Sequence, residues 1–145
     1  MGQKYTVSCP DCGYGFSFFQ GCGMFDCTIA GRDRHKEKIM AGAFGEELKR
    51  ILEKHPDAYL SFSRELLYCK ECIRYANRSV YRIYERAGDG RADALLFVLE
   101  YACVKCHKPM EMIGGKDRDY FVAPLKLPCP RCNGSADVRT MLYFD

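Results

Sequence analysis

Residues 9–13 read CPDCG, and residues 129–133 read CPRCN. In each stretch two residues separate the cysteines, and the residue after the second cysteine is glycine or asparagine, which adopt a left-handed backbone readily. Such a CxxC turn directs both sulfurs towards one ion while its backbone amides face the sulfurs. The chain has two further CxxC turns, at Cys69/Cys72 and Cys103/Cys106. They are followed by Ile73 and His107, which favour the left-handed backbone less.

The number and spacing of these cysteines predict metal binding. Two CxxC turns complete a tetrahedral four-thiolate site of the structural zinc type, so we expect two Zn²⁺ ions. The expected ligands are Cys9, Cys12, Cys69, Cys72, Cys103, Cys106, Cys129 and Cys132. Because 22 residues separate the third turn from the fourth, close to a ribbon spacing, we expect these two to share one ion and the first two turns to share the other. An alternative joins the first turn to Cys22 and Cys27, but it leaves one CxxC turn without a partner.

The composition is that of a globular chain, with 48% hydrophobic residues and a formal charge of +3. Eight thiolates and two divalent ions would bring that charge to −1, which does not favour protein-wide attraction to nucleic acid. The first residues lack the apolar stretch of a secretory signal, and no apolar run approaches the ~20 residues of a membrane helix. We therefore expect a cytoplasmic protein that binds no membrane, in a reducing compartment where paired cysteines are more often metal ligands than disulfides.

Helical periodicity covers residues 36–55, where Met40, Phe44 and Leu48 share one face and Pro56 follows as a stop signal. This pattern predicts one amphipathic helix between the first and second CxxC turns. Extended segments are expected over residues 59–62, 66–68, 79–86, 94–102 and 138–144. We expect residues 1–145 to form a single compact unit of two zinc-ribbon subdomains. The first covers about residues 1–90 and carries the inserted helix, and the second covers about residues 91–145.

The stretches 5–14 and 127–132 resemble the metal-binding turns of rubredoxin-like zinc ribbons, and the wider layout is similar to small bacterial zinc-ribbon proteins of unassigned role. The resemblance implies an α+β fold. Two rubredoxin-like zinc ribbons of short antiparallel strands would hold the metal, with one amphipathic helix inserted between the first and second CxxC turns. It carries over no catalytic residues. Ile73, where such families have glycine, and the extra thiols of Cys22 and Cys27 depart from the pattern.

Four thiolates leave no coordination position for water or substrate, so we expect a non-enzymatic interaction module that binds a protein. One alternative is single-stranded nucleic-acid binding after the second CxxC turn. Arginines at a spacing of four share one face of a strand, and interleaved tyrosines suit phosphate contacts together with base stacking. The residues are Arg74, Arg78, Arg82, Arg86, Tyr75, Tyr81 and Tyr84.

A second alternative is redox chemistry. Iron in the same four-thiolate geometry would serve electron transfer, and Cys22 and Cys27, in a glycine-containing stretch, could form a redox-responsive thiol pair. Residues 103–107 read CVKCH, which matches a haem-attachment signature, although that attachment generally follows export. The sequence does not decide the oligomeric state.

Overall fold

The computed structural model of the chain describes residues 2–114, 124 and 126–144. The described residues form an antiparallel sheet of eight strands with two short helices. In chain order the elements are β1 (Gly2–Ser8), β2 (Gly15–Gly21), α1 (Ile29–Met40), α2 (Glu46–Lys54), β3 (Tyr59–Cys69), β4 (Arg74–Glu85), β5 (Ala94–Val98), β6 (Glu111–Met112), β7 (Lys126–Pro128) and β8 (Ser135–Phe144).

The sheet order is β5-β4-β3-β2-β1-β8-β7, with β6 added to the end of β3. Three hairpins, β1–β2, β3–β4 and β7–β8, each close through a CxxC turn. β1 pairs antiparallel with β8, with Val7 opposite Val138, and β2 pairs antiparallel with β3. Since strand direction alternates across the sheet, the three hairpin turns lie at the same end of it.

The expected fold of two zinc ribbons with one inserted helix is wrong. One sheet joins the first and last strands of the chain through the β1–β8 ladder, and the fold is dominated by that sheet. The boundary expected near residue 90 falls between β4 and β5, which hydrogen-bond to each other. Short-range spacing of cysteines could not indicate a ladder between residues 129 or more positions apart.

The single helix expected over residues 36–55 is replaced by two. α1 begins at its N-cap Thr28, whose hydroxyl oxygen accepts a hydrogen bond from the Gly31 amide at 3.1 Å. Gly42 and Gly45 adopt φ values of 87° and 92° between the helices, a backbone that a continuous helix cannot contain.

Two clusters of buried hydrophobic side chains lie within the described residues. One packs the helix residues Ile39 and Leu48 against Leu60, Tyr81 and Ile83 of the β3–β4 hairpin. The other lies behind the CxxC turns and includes two of the cysteines themselves. Its buried members are Tyr5, Val7, Cys9, Phe18, Leu66, Leu127, Cys129 and Ala136. Cys9 and Cys129 are therefore held by a packed core.

Candidate metal centres

Four cysteines from the two ends of the chain converge at the β1–β2 and β7–β8 turns. In this first cluster (Cys9, Cys12, Cys129 and Cys132) the four sulfurs all lie within 4.8 Å of one another. The sulfurs of Cys9 and Cys132 are 3.5 Å apart, and those of Cys12 and Cys129 are 3.6 Å apart. A tetrahedral ion with metal–sulfur bonds of about 2.3 Å requires sulfur separations of about 3.8 Å. The first cluster fits such an ion.

The remaining four paired cysteines form an equivalent group at the β3–β4 turn. In this second cluster (Cys69, Cys72, Cys103 and Cys106) the sulfurs again lie within 4.8 Å of one another, and those of Cys69 and Cys106 are 3.5 Å apart. Two of its cysteines are buried and two are half-buried. The sulfur spacing of the second cluster, like that of the first, suits a tetrahedral ion.

The expected partnership of the turns is wrong, because the first turn joins the fourth and the second joins the third. The alternative in which Cys22 and Cys27 complete the first cluster is not found either. The cause is the β1–β8 ladder, which places the start of β8 beside the end of β1. The CVKCH stretch contributes Cys103 and Cys106 to the second cluster, while His107 is exposed beside it.

All four turns share one backbone conformation after the second cysteine. Gly13 and Asn133 adopt φ values of 74° and 59°, as their residue types predict, and Ile73 and His107 follow at 51° and 61°. A left-handed backbone is unfavourable for a β-branched residue, so the turn imposes it on Ile73.

Backbone amides face the sulfurs of the fourth turn. The Arg131 amide donates to the Cys129 sulfur and the Gly134 amide donates to the Cys132 sulfur, both at 3.4 Å. A Cβ at Gly134 would lie 2.6 Å from a carboxylate oxygen of Asp11 and 3.1 Å from the Cys132 sulfur, so a side chain here would displace the Asp11 carboxylate and crowd the Cys132 sulfur. Amide donors favour the thiolate form that a metal needs.

In the second cluster, ionisation is uneven. Backbone N–H groups of Cys106 and Lys105 lower the pKa of Cys103 to about 6. Burial, followed by the neighbouring cysteine sulfurs, raises the pKa of Cys72 to about 12. Four adjacent thiols cannot all ionise alone, because each thiolate repels the next. A divalent cation removes that repulsion.

The first cluster likewise contains a cysteine with a lowered pKa and another with a raised pKa. Burial raises the pKa of Cys129, but the N–H groups of Cys132 and Arg131 outweigh it and bring the pKa to about 7. For Cys132 the Gly134 amide lowers the pKa, yet the Cys9 sulfur, burial and the other sulfurs raise it to about 12. Each cluster thus contains one readily ionised thiol and one that needs a cation to ionise.

The predicted arginine face is divided by the fold. Arg82 is only 3% exposed and its guanidinium lies 3.1 Å from a carboxylate oxygen of Glu65, which is also buried. It also donates to the Ser63 hydroxyl at 2.8 Å. Tyr81 is buried as well and its hydroxyl lies 2.8 Å from Nδ1 of His35. The other predicted residues differ: Arg74, Arg78 and Arg86 are exposed, and Tyr75 and Tyr84 are half-buried.

Cys22 and Cys27 lie outside both clusters and form a disulfide between β2 and α1. Inside this loop, Asp26 contacts Nε2 of His35 at 2.8 Å. His35 therefore links the disulfide loop to Tyr81 of β4. No sequence pattern indicates this link, because a lone histidine in a helix has no characteristic spacing.

Neither helix in the described part of the chain has the length and apolar character needed to cross a bilayer. In comparisons with known proteins, no protein-family model, curated protein or solved structure matches the chain.

Proposed function

We propose that this protein is a non-enzymatic zinc-binding interaction module with one structural Zn²⁺ in each cysteine cluster. The observation that carries the proposal is the convergence of four CxxC turns into two groups of four sulfurs with tetrahedral spacing. Bound zinc would supply cross-links between segments that are distant along the chain. Since thiolates fill all four positions of such a site, no position remains for a substrate.

Native mass spectrometry with elemental analysis of the purified chain tests the metal. We expect two zinc ions per chain, one ion in Cys12→Ser, and two in the control Cys22→Ser, which changes a cysteine outside the clusters. A chain without bound metal would refute the proposal. Two iron ions with visible absorbance would support the electron-transfer alternative instead.

A protein is the partner class that we propose. Three apolar side chains of the disulfide loop and the first turn of α1 are exposed: Met24 by 57%, Phe25 by 53% and Ile29 by 80%. Neighbouring exposed apolar residues favour contact with an apolar protein surface. A photo-crosslinker at position 29 should capture a protein that the Met24→Ser/Phe25→Ser variant no longer captures. Equal capture from position 53, an exposed residue of α2, would count against this surface.

Nucleic-acid binding makes a different prediction. Three of the four arginines remain exposed to solvent, so fluorescence anisotropy with single-stranded oligonucleotides at low salt would detect it. We expect no binding. Salt-sensitive binding that is lost in the Arg74→Ala/Arg78→Ala variant would show that the partner is a nucleic acid and not a protein.

The Cys22–Cys27 disulfide favours a second candidate function, thiol-based redox response. Reduction would consume two electrons and two protons from a dithiol or from two glutathione molecules and yield two thiols. Alkylation of the zinc-loaded protein followed by mass spectrometry should label both cysteines only after reduction. Labelling without reduction would exclude a stable disulfide.

A further inference from the structure

Tyr75 lies between the two cysteine clusters. It follows Cys72 by three residues on β4, and its ring stacks on Tyr68 at 4.9 Å between centroids. Tyr68 is the cross-strand partner of Tyr75 and directly precedes Cys69. The position of the Tyr75 ring is therefore tied to the turn that supplies half of the second cluster.

The other side of Tyr75 reaches the first cluster. Its hydroxyl donates a hydrogen bond to the carbonyl oxygen of Pro128 at 2.8 Å, and Pro128 directly precedes Cys129. Its ring also stacks on Phe16 at 5.1 Å, at the start of β2. Burial and the nearby Tyr68 and Cys129 raise the pKa of Tyr75, so the hydroxyl keeps its proton at neutral pH.

From this bridge we infer that Tyr75 is a positioning residue for both sites and makes their metal binding cooperative. The inference rests on the proposed function. An ion in the second cluster orders the β3–β4 turn and with it the Tyr75 ring. The hydroxyl then holds Pro128, and thus Cys129, in position for the second ion.

Thermodynamic linkage makes the effect reciprocal, so occupation of either cluster raises the affinity of the other. A neutral hydrogen bond contributes a factor of about five in an equilibrium constant. For two equal, independent sites, about half of the chains hold one ion at half-saturation, and a fivefold coupling lowers this fraction to about a third.

The test is a zinc titration of the metal-free full chain, with the populations holding zero, one and two ions counted by native mass spectrometry. Tyr75→Phe keeps the ring stacking and removes the hydroxyl. Its matched control is Tyr59→Phe. Tyr59 stacks on its cross-strand partner Tyr84 at the opposite end of the same hairpin, and its hydroxyl donates to Asp93. We expect the one-ion fraction to rise in Tyr75→Phe and to stay at the wild-type value in Tyr59→Phe.

A double-mutant cycle gives an independent measurement. Cys12→Ser, which disables the first cluster, should weaken zinc binding at the second cluster about fivefold in the wild-type background and leave it unchanged in the Tyr75→Phe background. Equal weakening in both backgrounds, or equal one-ion fractions in both tyrosine variants, overturns the inference. Failure of the wild-type chain to bind two ions would instead overturn the proposed function.

Discussion

Replacing Arg82 by methionine is expected to destabilise the fold by about 3–5 kcal/mol. The substitution leaves the Glu65 carboxylate inside the protein, still accepting hydrogen bonds from Ser63 and Gln20 but without the guanidinium. An uncompensated buried charge has this cost because it has lost its water without gaining a counter-charge. At about 2–4 °C per kcal/mol, the melting temperature should fall by roughly 10 °C.

Urea unfolding followed by circular dichroism, with zinc in excess, measures the loss. Arg78→Met is the matched control, because Arg78 lies on the same strand and is exposed, and we expect its effect to stay within about 0.5 kcal/mol. Glu65→Leu/Arg82→Met should recover most of the stability, since apolar residues can replace a buried ion pair at little cost. If Arg82→Met is no more destabilising than Arg78→Met, the reasoning about the buried pair is refuted.

Three further predictions concern the metal, a helix glycine and a strained turn. Acidification should release bound metal, because the Cys72 thiol, with a pKa raised to about 12, takes up a proton when the ion leaves. A zinc indicator measures this release, and release that does not depend on pH would contradict the prediction. Gly31→Ala should lower the thermal midpoint, although alanine usually stabilises a helix by about 1 kcal/mol, because its Cβ would lie 2.1 Å from the Phe25 carbonyl oxygen. A raised midpoint would show that the loop containing Phe25 moves to accommodate the added methyl group. Ile73→Asn should raise the free energy of unfolding by about 1 kcal/mol and therefore raise the urea midpoint, because asparagine tolerates a φ of 51° better. An unchanged or lower midpoint would mean that no strain is relieved.

The sequence predicted the local structure of the candidate metal sites better than their assembly. Gly13 and Asn133 indicated left-handed turns, and all eight paired cysteines lie in sulfur clusters. The pairing of the turns depends on the β1–β8 ladder, which connects distant segments and leaves no mark in the spacing of neighbouring cysteines. Ile73 shows the reverse case, in which the turn overrides the preference of the residue.

The burial of Arg82 also could not be predicted from the local sequence pattern. The two-residue period of a strand placed Arg82 on the same face as Arg78. It could not indicate that Arg82 would form a buried ion pair with Glu65 of the neighbouring strand. The helix boundaries failed for a different reason. Apolar periodicity continued across Gly42 and Gly45, whose positive φ values end one helix before the next begins.

The pairing of the turns also sets an order for assembly on the ribosome. Translation proceeds from the amino terminus, so the four thiols of the second cluster have all been made once Cys106 is added. Cys9 and Cys12 are synthesised first of all, yet they must wait for Cys132 before their tetrahedron can close. A nascent chain therefore contains all four thiols of the second cluster while the earliest pair of thiols still lacks its partners.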